Sequence, residues 1–297
     1  MTSPVVQPFF HEPSDTFSYV VSCPETKRCA IIDSCLDFAY NAGRIGTAFA
    51  DRIVDYVERN GLTVEWILET HAHADHLSAA AYLKGRLGGK IAIGEHVREV
   101  QQFFRALYNL DDVSGDGSEF DHLFTDGETF TIGQVPVRVM HTPGHTPACV
   151  TYVVNEECAF VGDTVFMPDY GTARCDFPNG SSRALYRSIR DKILALPEDT
   201  KLYMCHDYRP NAPAPRYVTT VKEERERNPL VHDGTSEEQF VKIRDGIDRV
   251  LPAPQYILPS LQINIRAGHM PPPESNGKRY LKLPLNVLGS ANISLDF

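Results

Sequence analysis

Short runs rich in valine, isoleucine and aromatic residues alternate along this chain with longer stretches whose apolar residues recur every three or four positions. The short runs are typical of β-strands, and the longer stretches are typical of helices with one buried face. In residues 50–61, for example, Ile53, Val54 and Val57 share a face and a glycine ends the stretch. The pattern predicts strands at residues 17–21, 29–33, 64–70, 90–94, 128–132, 135–141, 148–154, 158–162 and 201–205, and helices at 50–61, 78–89, 95–108, 182–196 and 237–251.

The order of these elements indicates the fold class. Strands and helices are mixed without strict strand–helix–strand repetition, and residues 17–33 are typical of a hairpin. We therefore predict an α/β protein in which a sandwich of mixed sheets is covered by helices. Prolines are frequent between residues 212 and 273, and they disfavour strands and long helices. We predict a main body of residues 1–230 and an extension of residues 231–297, a short helix and an extended proline-rich arm that belong to the same domain.

Composition narrows the classes of function. The 297 residues include 29 Lys and Arg against 39 Asp and Glu, a net charge of −10, without a basic cluster. We expect no nucleic-acid partner, because binding to phosphates needs clustered positive charge. No apolar run approaches the roughly eighteen residues that span a bilayer, and the N-terminus lacks the pattern of a signal or transit peptide. The expected location is cytoplasmic, without a membrane partner. Seven cysteines, an odd number without a CxxC pair, predict reduced thiols and no disulfide framework.

A dense group of metal-binding residue types follows the strand predicted at residues 64–70. In His71-Ala-His73-Ala-Asp75-His76, every polar side chain is a nitrogen or oxygen donor, and the alanines are small enough for a tight turn. The group lies between a predicted strand and a predicted helix, where binding loops are common. Without a cation, imidazoles crowded in this way would repel one another on protonation. We therefore predict a metal site here.

Three later strand ends offer further donors. His145 follows one predicted strand, Asp163 follows another, and His206 follows the strand at residues 201–205. We expect His141 to be structural or to orient a ligand. The remaining histidines have no comparable context and are expected to be surface or packing residues: His11, His96, His122, His232 and His269.

The motifs "THAHADH", "HTPGHT", "FVGD" and "CHDY", in this order, resemble those of the metallo-β-lactamase superfamily. The resemblance implies a four-layer αββα sandwich with metals at one edge between two sheets. It also implies seven potential ligands, with Asp163 able to bridge two ions: His71, His73, Asp75, His76, His145, Asp163 and His206.

Longer segments resemble one branch of this superfamily, the persulfide dioxygenases related to the ethylmalonic encephalopathy protein, in particular the bacterial kind with a longer insert. The segments are "LETHAHADHLSAA", "TARCDFPNGSS", "CHDY", "VKEERERNP" and "PSLQINIRAG". This resemblance implies one Fe(II) per chain, held by His71, His145 and Asp163, and oxidation of glutathione persulfide by O2 and water to sulfite and glutathione. The other four residues of the ligand set would orient these ligands or hold a second metal. Arg174 and Tyr208 would contact the substrate.

The sequence departs from the persulfide dioxygenases at two positions, and two other functions are alternatives. Leu230 stands where relatives with a tight glutathione site carry a basic residue, and Thr172 stands where the mammalian relative has a cysteine. A different low-molecular-weight persulfide is therefore an alternative substrate. The alternative functions are a two-metal thioester hydrolase of the glyoxalase II type, acting on S-lactoylglutathione, and a non-catalytic metal-binding module. A homodimer is compatible with the sequence.

Overall fold

Fifteen strands and seven α-helices are formed by the residues that the structure describes, which are 2–208 and 214–287 of this computed structural model. The strands are β1 (Val5–His11), β2 (Thr16–Ser22), β3 (Arg28–Ile32), β4 (Cys35–Ala39), β5 (Arg44–Gly46), β6 (Thr63–Leu68), β7 (Leu77–Ser78), β8 (Lys90–Gly94), β9 (His122–Phe124), β10 (Thr129–Ile132), β11 (Val135–His141), β12 (Val150–Val154), β13 (Cys158–Phe160), β14 (Lys201–Tyr203) and β15 (Val218–Thr220). The helices are α1 (Ala48–Arg59), α2 (Ala80–Leu87), α3 (Val97–Tyr108), α4 (Ser182–Arg187), α5 (Val221–Arg227), α6 (Glu237–Asp248) and α7 (Ile257–Asn264).

Two six-stranded sheets form the centre of the fold. The first has the order β1-β2-β3-β6-β8-β9, with antiparallel pairs up to β3 and parallel pairs after it. The second has the order β10-β11-β12-β13-β14-β15 and is antiparallel except for the pair β13–β14. A third sheet has the order β5-β4-β7. The antiparallel β2–β3 pair confirms the hairpin predicted for residues 17–33.

The two large sheets pack against each other through aromatic and aliphatic side chains. Tyr19 and Tyr152 are almost completely buried in this layer. Successive residues of a strand point to opposite faces, so Ala30 and Ile32 of β3 enter this layer and Ile31 faces the other side. Burying one large apolar side chain contributes about 1.5–3 kcal/mol, and both faces of β3 contribute in this way.

Helices cover the outer faces of both sheets. Side chains of α1, α2, α3 and α7 pack in one core with the outer face of the first sheet, among them Ile53, Leu83, Phe104 and Leu261. Side chains of α4 and α6 pack in another core with the second sheet, among them Leu185 and Phe240. The fold is therefore the predicted four-layer αββα sandwich.

The helix predicted at residues 182–196 changes its winding part of the way along. α4 ends at Arg187, and Ser188–Ile193 continue as a π-helical segment. Within it, the Ser188 hydroxyl donates to the Pro143 carbonyl at 2.6 Å, and Lys192 Nζ donates to the His141 carbonyl at 2.6 Å. These two hydrogen bonds connect the π-helical segment to the end of β11 and to the loop that follows it, which carries one of the predicted metal ligands.

The C-terminal extension contains a helix where we predicted an extended arm. Pro259 is the third residue of α7, and proline is tolerated in the first turn because the N–H groups there have no intrahelical partner. The density of prolines was therefore the wrong guide for Ile257–Asn264. Leu261 and Ile263 of α7 are completely buried. Residues 269–287, which end the described part of the extension, contain no helix or strand.

The cysteines and the helices agree with the composition of the chain. All seven cysteines are buried and unpaired, which agrees with the prediction of reduced thiols. Within residues 2–208 and 214–287, none of the helices combines the length and the apolar character that a bilayer span requires.

Candidate metal centre

Four loops that follow strand ends meet in one place and carry all seven predicted ligands. The segment from His71 to His76 follows β6, His145 lies between β11 and β12, Asp163 follows β13, and His206 follows β14. Their ligand atoms fall into three groups, each with its atoms within 4.8 Å of one another: His71, His145 and Asp163; His73, Asp75 and His76; and Asp163 and His206 together with Cys205. Because the strand ends supply rigid supports, these loops hold the donors in a defined arrangement.

The first group consists of His71, His145 and Asp163, all three buried. Nε2 of His71 lies 3.9 Å from Asp163 Oδ2, and Nε2 of His145 lies 3.7 Å from the same oxygen. These separations are too long for hydrogen bonds. The two imidazoles and the carboxylate therefore surround a common space instead of bonding to one another.

Hydrogen bonds to the other ring nitrogens select the tautomers of this group. The Thr70 hydroxyl donates to Asp33 Oδ2 at 2.9 Å, so its oxygen accepts from His71 Nδ1–H at 3.1 Å. His145 Nδ1–H donates to the Arg174 carbonyl at 2.7 Å. With a proton on each Nδ1, both Nε2 atoms keep their lone pairs on the side of Asp163.

The second group is formed by His73, Asp75 and His76, and His206 approaches it through Asp75. Asp75 Oδ2 lies 3.0 Å from His76 Nδ1 and 3.4 Å from His206 Nε2, and it accepts from the Thr16 hydroxyl at 3.2 Å. The Oδ2 atom of Asp75 thus already has polar partners within the protein.

Asp163 lies between the two groups. While its Oδ2 faces the first group, its Oδ1 lies 3.2 Å from His206 Nε2, in an orientation that is not that of a hydrogen bond. The structure therefore puts Asp163 where a bridging residue was predicted.

The donor set fits a metal ion. Buried polar atoms normally have hydrogen-bond partners, yet several ligand atoms of this cluster have none within the described part of the chain. These atoms are His71 Nε2, His73 Nδ1, His76 Nε2, Asp163 Oδ1 and His206 Nε2. Nitrogen and oxygen lone pairs that converge without donors are satisfied by a cation.

The charges of the cluster point the same way. Burial lowers the pKa of His71 well below its usual range, and the neighbouring His73 adds to this effect, so His71 is a neutral imidazole. Burial also disfavours a charge on His206, but Asp163 and Asp75 outweigh this and raise its pKa to about 9. Asp163 and Asp75 thus favour a proton on His206. A metal ion at the centre would replace this proton as the positive charge that the two carboxylates attract.

Two buried carboxylates, those of Asp33 and Glu69, contact the Nε2 atom of His73. Its Nε2 lies 3.0 Å from Asp33 Oδ1 and 3.3 Å from Glu69 Oε2. Burial alone would lower the pKa of His73, but Asp33 and Glu69 raise it well above its usual range. Asp33 also accepts from the Thr70 N–H at 2.7 Å. Neither acid was among the predicted site residues, although each stands at or next to the end of a buried strand.

A cavity of about 770 Å³ opens onto the cluster. Near the predicted ligands its wall includes Asp75, His145, Asp163, Phe166, Tyr170 and Tyr208. Tyr208 stacks on His206 with the ring centroids 5.4 Å apart, and 39% of it is exposed. The predicted substrate contact Tyr208 therefore lies where a molecule in the cavity would meet it.

Arg174, the other predicted substrate contact, also lines this cavity but already has partners. Its guanidinium donates to Asp176 through Nε at 2.5 Å and through Nη2 at 2.6 Å, and Nη1 donates to the Pro252 carbonyl at 2.7 Å. A substrate carboxylate would compete with Asp176 for this cation.

The two departures noted in the sequence also lie at this cavity, whose wall includes both Thr172 and Leu230. A second guanidinium there, Arg244, is paired with Asp248 at 2.7 Å and donates to the Thr172 carbonyl at 3.1 Å. The leucine leaves this part of the wall apolar where a basic residue would have added a charge.

His141 lies outside these groups. Its Nε2 bonds to the Pro147 carbonyl at 2.8 Å, and its ring stacks on His96 with centroids 4.1 Å apart. These contacts agree with the structural role predicted for His141.

Comparison with known proteins identifies a family and several relatives of this chain. The family model described as the metallo-beta-lactamase superfamily matches residues 11–206. A Dictyostelium discoideum protein named Glyoxylase B2 is 52% identical over 277 residues, which are 93% of this chain and 94% of that protein. Human mitochondrial persulfide dioxygenase ETHE1 is 30% identical over 269 residues, 90% of each chain. The crystal structure of ETHE1 from Myxococcus xanthus has a TM-score of 0.72 at 27% identity and covers 89% of this chain and 100% of that one. These relatives carry the names of two different activities.

Proposed function

Because this chain belongs to the metallo-β-lactamase superfamily, we propose that it is a persulfide dioxygenase with one ferrous ion held by His71, His145 and Asp163. The observation that carries the proposal is the buried group of two imidazoles and one carboxylate whose tautomers leave both Nε2 lone pairs free. Two histidines and one carboxylate with open positions suit non-haem ferrous iron. The 30% identity to human persulfide dioxygenase ETHE1 supports the same function.

In this proposal the second group orients the first and does not hold its own ion. Asp75 Oδ2 lies 3.0 Å from His76 Nδ1 and accepts from the Thr16 hydroxyl, whereas Asp163 Oδ2 lies 3.7 Å or more from both imidazoles of the first group. His206, close to Asp163 Oδ1, keeps Oδ2 directed at His71 and His145. His73 is held by Asp33 and keeps its Nδ1 toward the cluster.

The proposed reaction converts a persulfide R–S–SH, O2 and H2O into R–SH and sulfurous acid, which ionises to sulfite. The sulfur–sulfur bond breaks, the outer sulfur is oxidised, and oxygen is reduced. When bound, ferrous iron supplies this redox chemistry. The protein residues bind and orient the persulfide in the cavity beside His145 and Asp163.

Glutathione is the proposed carrier of the persulfide. Its carboxylates would pair with Arg174, and its peptide would pack along Tyr208 in the cavity. The Arg174–Asp176 ion pair must open for this, because the carboxylate of Asp176 already occupies two of the guanidinium donors.

Replacing Arg174 by lysine tests this contact. A charge-assisted hydrogen bond contributes about 1.5–3 kcal/mol, and each 1.4 kcal/mol is a factor of about ten in affinity. We expect Arg174→Lys to raise KM for glutathione persulfide roughly tenfold or more with the iron content unchanged, because the His145 contact uses the backbone carbonyl of Arg174. Steady-state kinetics and metal analysis measure both effects.

Two companion variants sharpen this test. Asp176→Asn removes the competing carboxylate and should lower KM. Arg187→Lys alters an arginine with 60% of its side chain exposed, which pairs with Glu237, and should leave KM unchanged. If Arg174→Lys has wild-type kinetics, Arg174 does not bind the substrate or glutathione is the wrong carrier.

A two-metal thioester hydrolase is the second candidate. The specific observation in its favour is the position of Asp163, which has one oxygen toward each group of ligands. The relative named Glyoxylase B2, at 52% identity, gives this candidate further support. A two-metal centre would activate a water molecule for attack on the thioester and needs no oxidant.

Oxygen uptake separates the two candidates. Purified protein given glutathione persulfide should consume O2 and release sulfite, and it should be inert toward glutathione, which lacks an outer sulfur. Parallel assays should follow S-lactoylglutathione hydrolysis. The dioxygenase proposal is wrong if iron-loaded protein takes up no oxygen but cleaves the thioester rapidly.

A further inference from the structure

The C-terminal helix α7 reaches back to the loop that carries four of the seven predicted ligands. Asn264, the last residue of α7, is 4% exposed. Its Nδ2 donates to the carbonyls of His73 and His76, both at 2.8 Å, and its Oδ1 accepts from the Ser78 N–H at 2.7 Å. One side chain thus binds two backbone carbonyls of the loop between β6 and β7 and one backbone N–H of β7.

These contacts matter because the loop has little regular structure of its own. Its ligand side chains point into the cluster, so its backbone groups need partners on the other side. The strand that follows, β7, has only the two residues Leu77–Ser78. Asn264 bonds to the loop two and five positions after His71, and it therefore fixes the backbone that follows this proposed ligand of the ion.

The helix that carries Asn264 is held independently of the loop. Arg266 forms an ion pair with Asp112 at 2.7 Å and 2.8 Å, and Gln101 Nε2 donates to the Ile265 carbonyl at 2.8 Å. Leu261 and Ile263 are buried against the first sheet and its helices. The backbone next to Asn264 is thus held by contacts that do not involve the ligand loop. No site residue was predicted in this part of the chain.

We propose that Asn264 is a positioning residue of the metal centre, which holds the His71–His76 loop in the conformation that binds the ion. The inference rests on the metal centre of the proposed function, but not on the identity of the substrate. It makes the C-terminal extension a part of the site, because α7 supplies this contact.

The test compares Asn264→Ala with Gln262→Ala in the full-length protein. Gln262 lies on the same helix, is 1% exposed, and likewise makes three hydrogen bonds through its amide, to the Leu258 carbonyl and to the N–H and carbonyl of Lys282. It does not bond to the metal loop. The two variants therefore remove a similar amount of buried hydrogen bonding, and only one of them removes it from the loop.

Ferrous iron is the probe, added under anaerobic conditions to chelator-treated protein. We expect Asn264→Ala to weaken iron binding about 10–100-fold, the loss typical of residues that orient metal ligands, and to shrink the rise in Tm on iron addition. Gln262→Ala should lower the Tm of the iron-free protein comparably but bind iron as the wild type does. Asn264→Ser, which retains a short donor, should fall between the wild type and Asn264→Ala, and it replaces the alanine variant if that variant does not fold.

Wild-type iron affinity in the Asn264 variants would overturn this role, and so would an equal loss of affinity in Gln262→Ala. A wild-type protein that binds no iron would instead refute the proposed function, so the two failures are distinguishable.

Discussion

Alanine at His71, His145 or Asp163 is expected to remove the iron and to abolish oxygen uptake. Each substitution deletes one of three ligand atoms that surround a common space and that have no substitute in the first group. The loss should exceed the roughly 10–100-fold effect of residues that only orient ligands. Metal analysis after gel filtration measures the iron, and oxygen consumption with glutathione persulfide measures the activity.

The matched control for this series is His76→Ala. His76 is also a buried histidine whose Nε2 has no hydrogen-bond partner among the described residues, but it belongs to the second group. With a single ion at the first group, this variant should keep most of its iron and lose activity only in part. His73 is less suitable, because its removal would leave the buried Asp33 and Glu69 without their shared partner.

Circular dichroism and thermal unfolding show whether the variants are folded, as we expect because the ligands lie on loops. Full iron content in all three first-group variants would refute the ligand assignment. Loss of two ions per chain from variants of either group would instead indicate a two-metal centre.

Removal of the metal is expected to reduce persulfide oxidation to the uncatalysed rate, and only ferrous iron should restore it. Zinc fits a site of nitrogen and oxygen donors but has no redox chemistry. Zinc-loaded protein should therefore be folded, metal-bound and inactive toward glutathione persulfide. Dialysis against a chelator followed by anaerobic addition of one metal at a time makes the comparison, with sulfite as the measured product.

A second substrate makes this experiment decisive. S-lactoylglutathione hydrolysis should be negligible with one ferrous ion, because the alternative hydrolase relies on a water molecule activated by a two-metal centre. If zinc restores activity toward the thioester and iron restores none toward the persulfide, the protein is a hydrolase.

Nine of the fifteen strands in the described part of the chain were predicted, because they depend on local patterns, whereas β1, β4, β5, β7, β9 and β15 were not predicted. A strand buried on both faces, such as β3, is a continuous apolar run, and a helix with one buried face, such as α1, repeats its apolar residues every three or four positions. The prediction for Ile257–Asn264 was wrong, because the helix preference of its first turn depends on the exact position of Pro259. Composition over a long segment does not contain that information.

Arg174 illustrates a second limit of local pattern. The motif around it predicted a cation at the substrate cavity, and the cation lines that cavity. The Arg174 guanidinium is already bound by the carboxylate of Asp176 and by the Pro252 carbonyl. These contacts depend on side-chain rotamers and on a segment 78 positions away along the chain. The strength of the predicted substrate contact therefore depends on tertiary structure.

By itself, the sequence determined which residues are able to bind a metal and the order in which strands present them, because donor chemistry and apolar periodicity are properties of short segments. Only the tertiary structure decided which nitrogen of each imidazole faces the centre, since Asp33, Thr70 and the Arg174 carbonyl select the tautomers. It also decided that Asn264 supports the ligand loop, through contacts between residues 186 to 191 positions apart. Contacts across such separations form only when the sheets and helices have packed, and no local pattern records them.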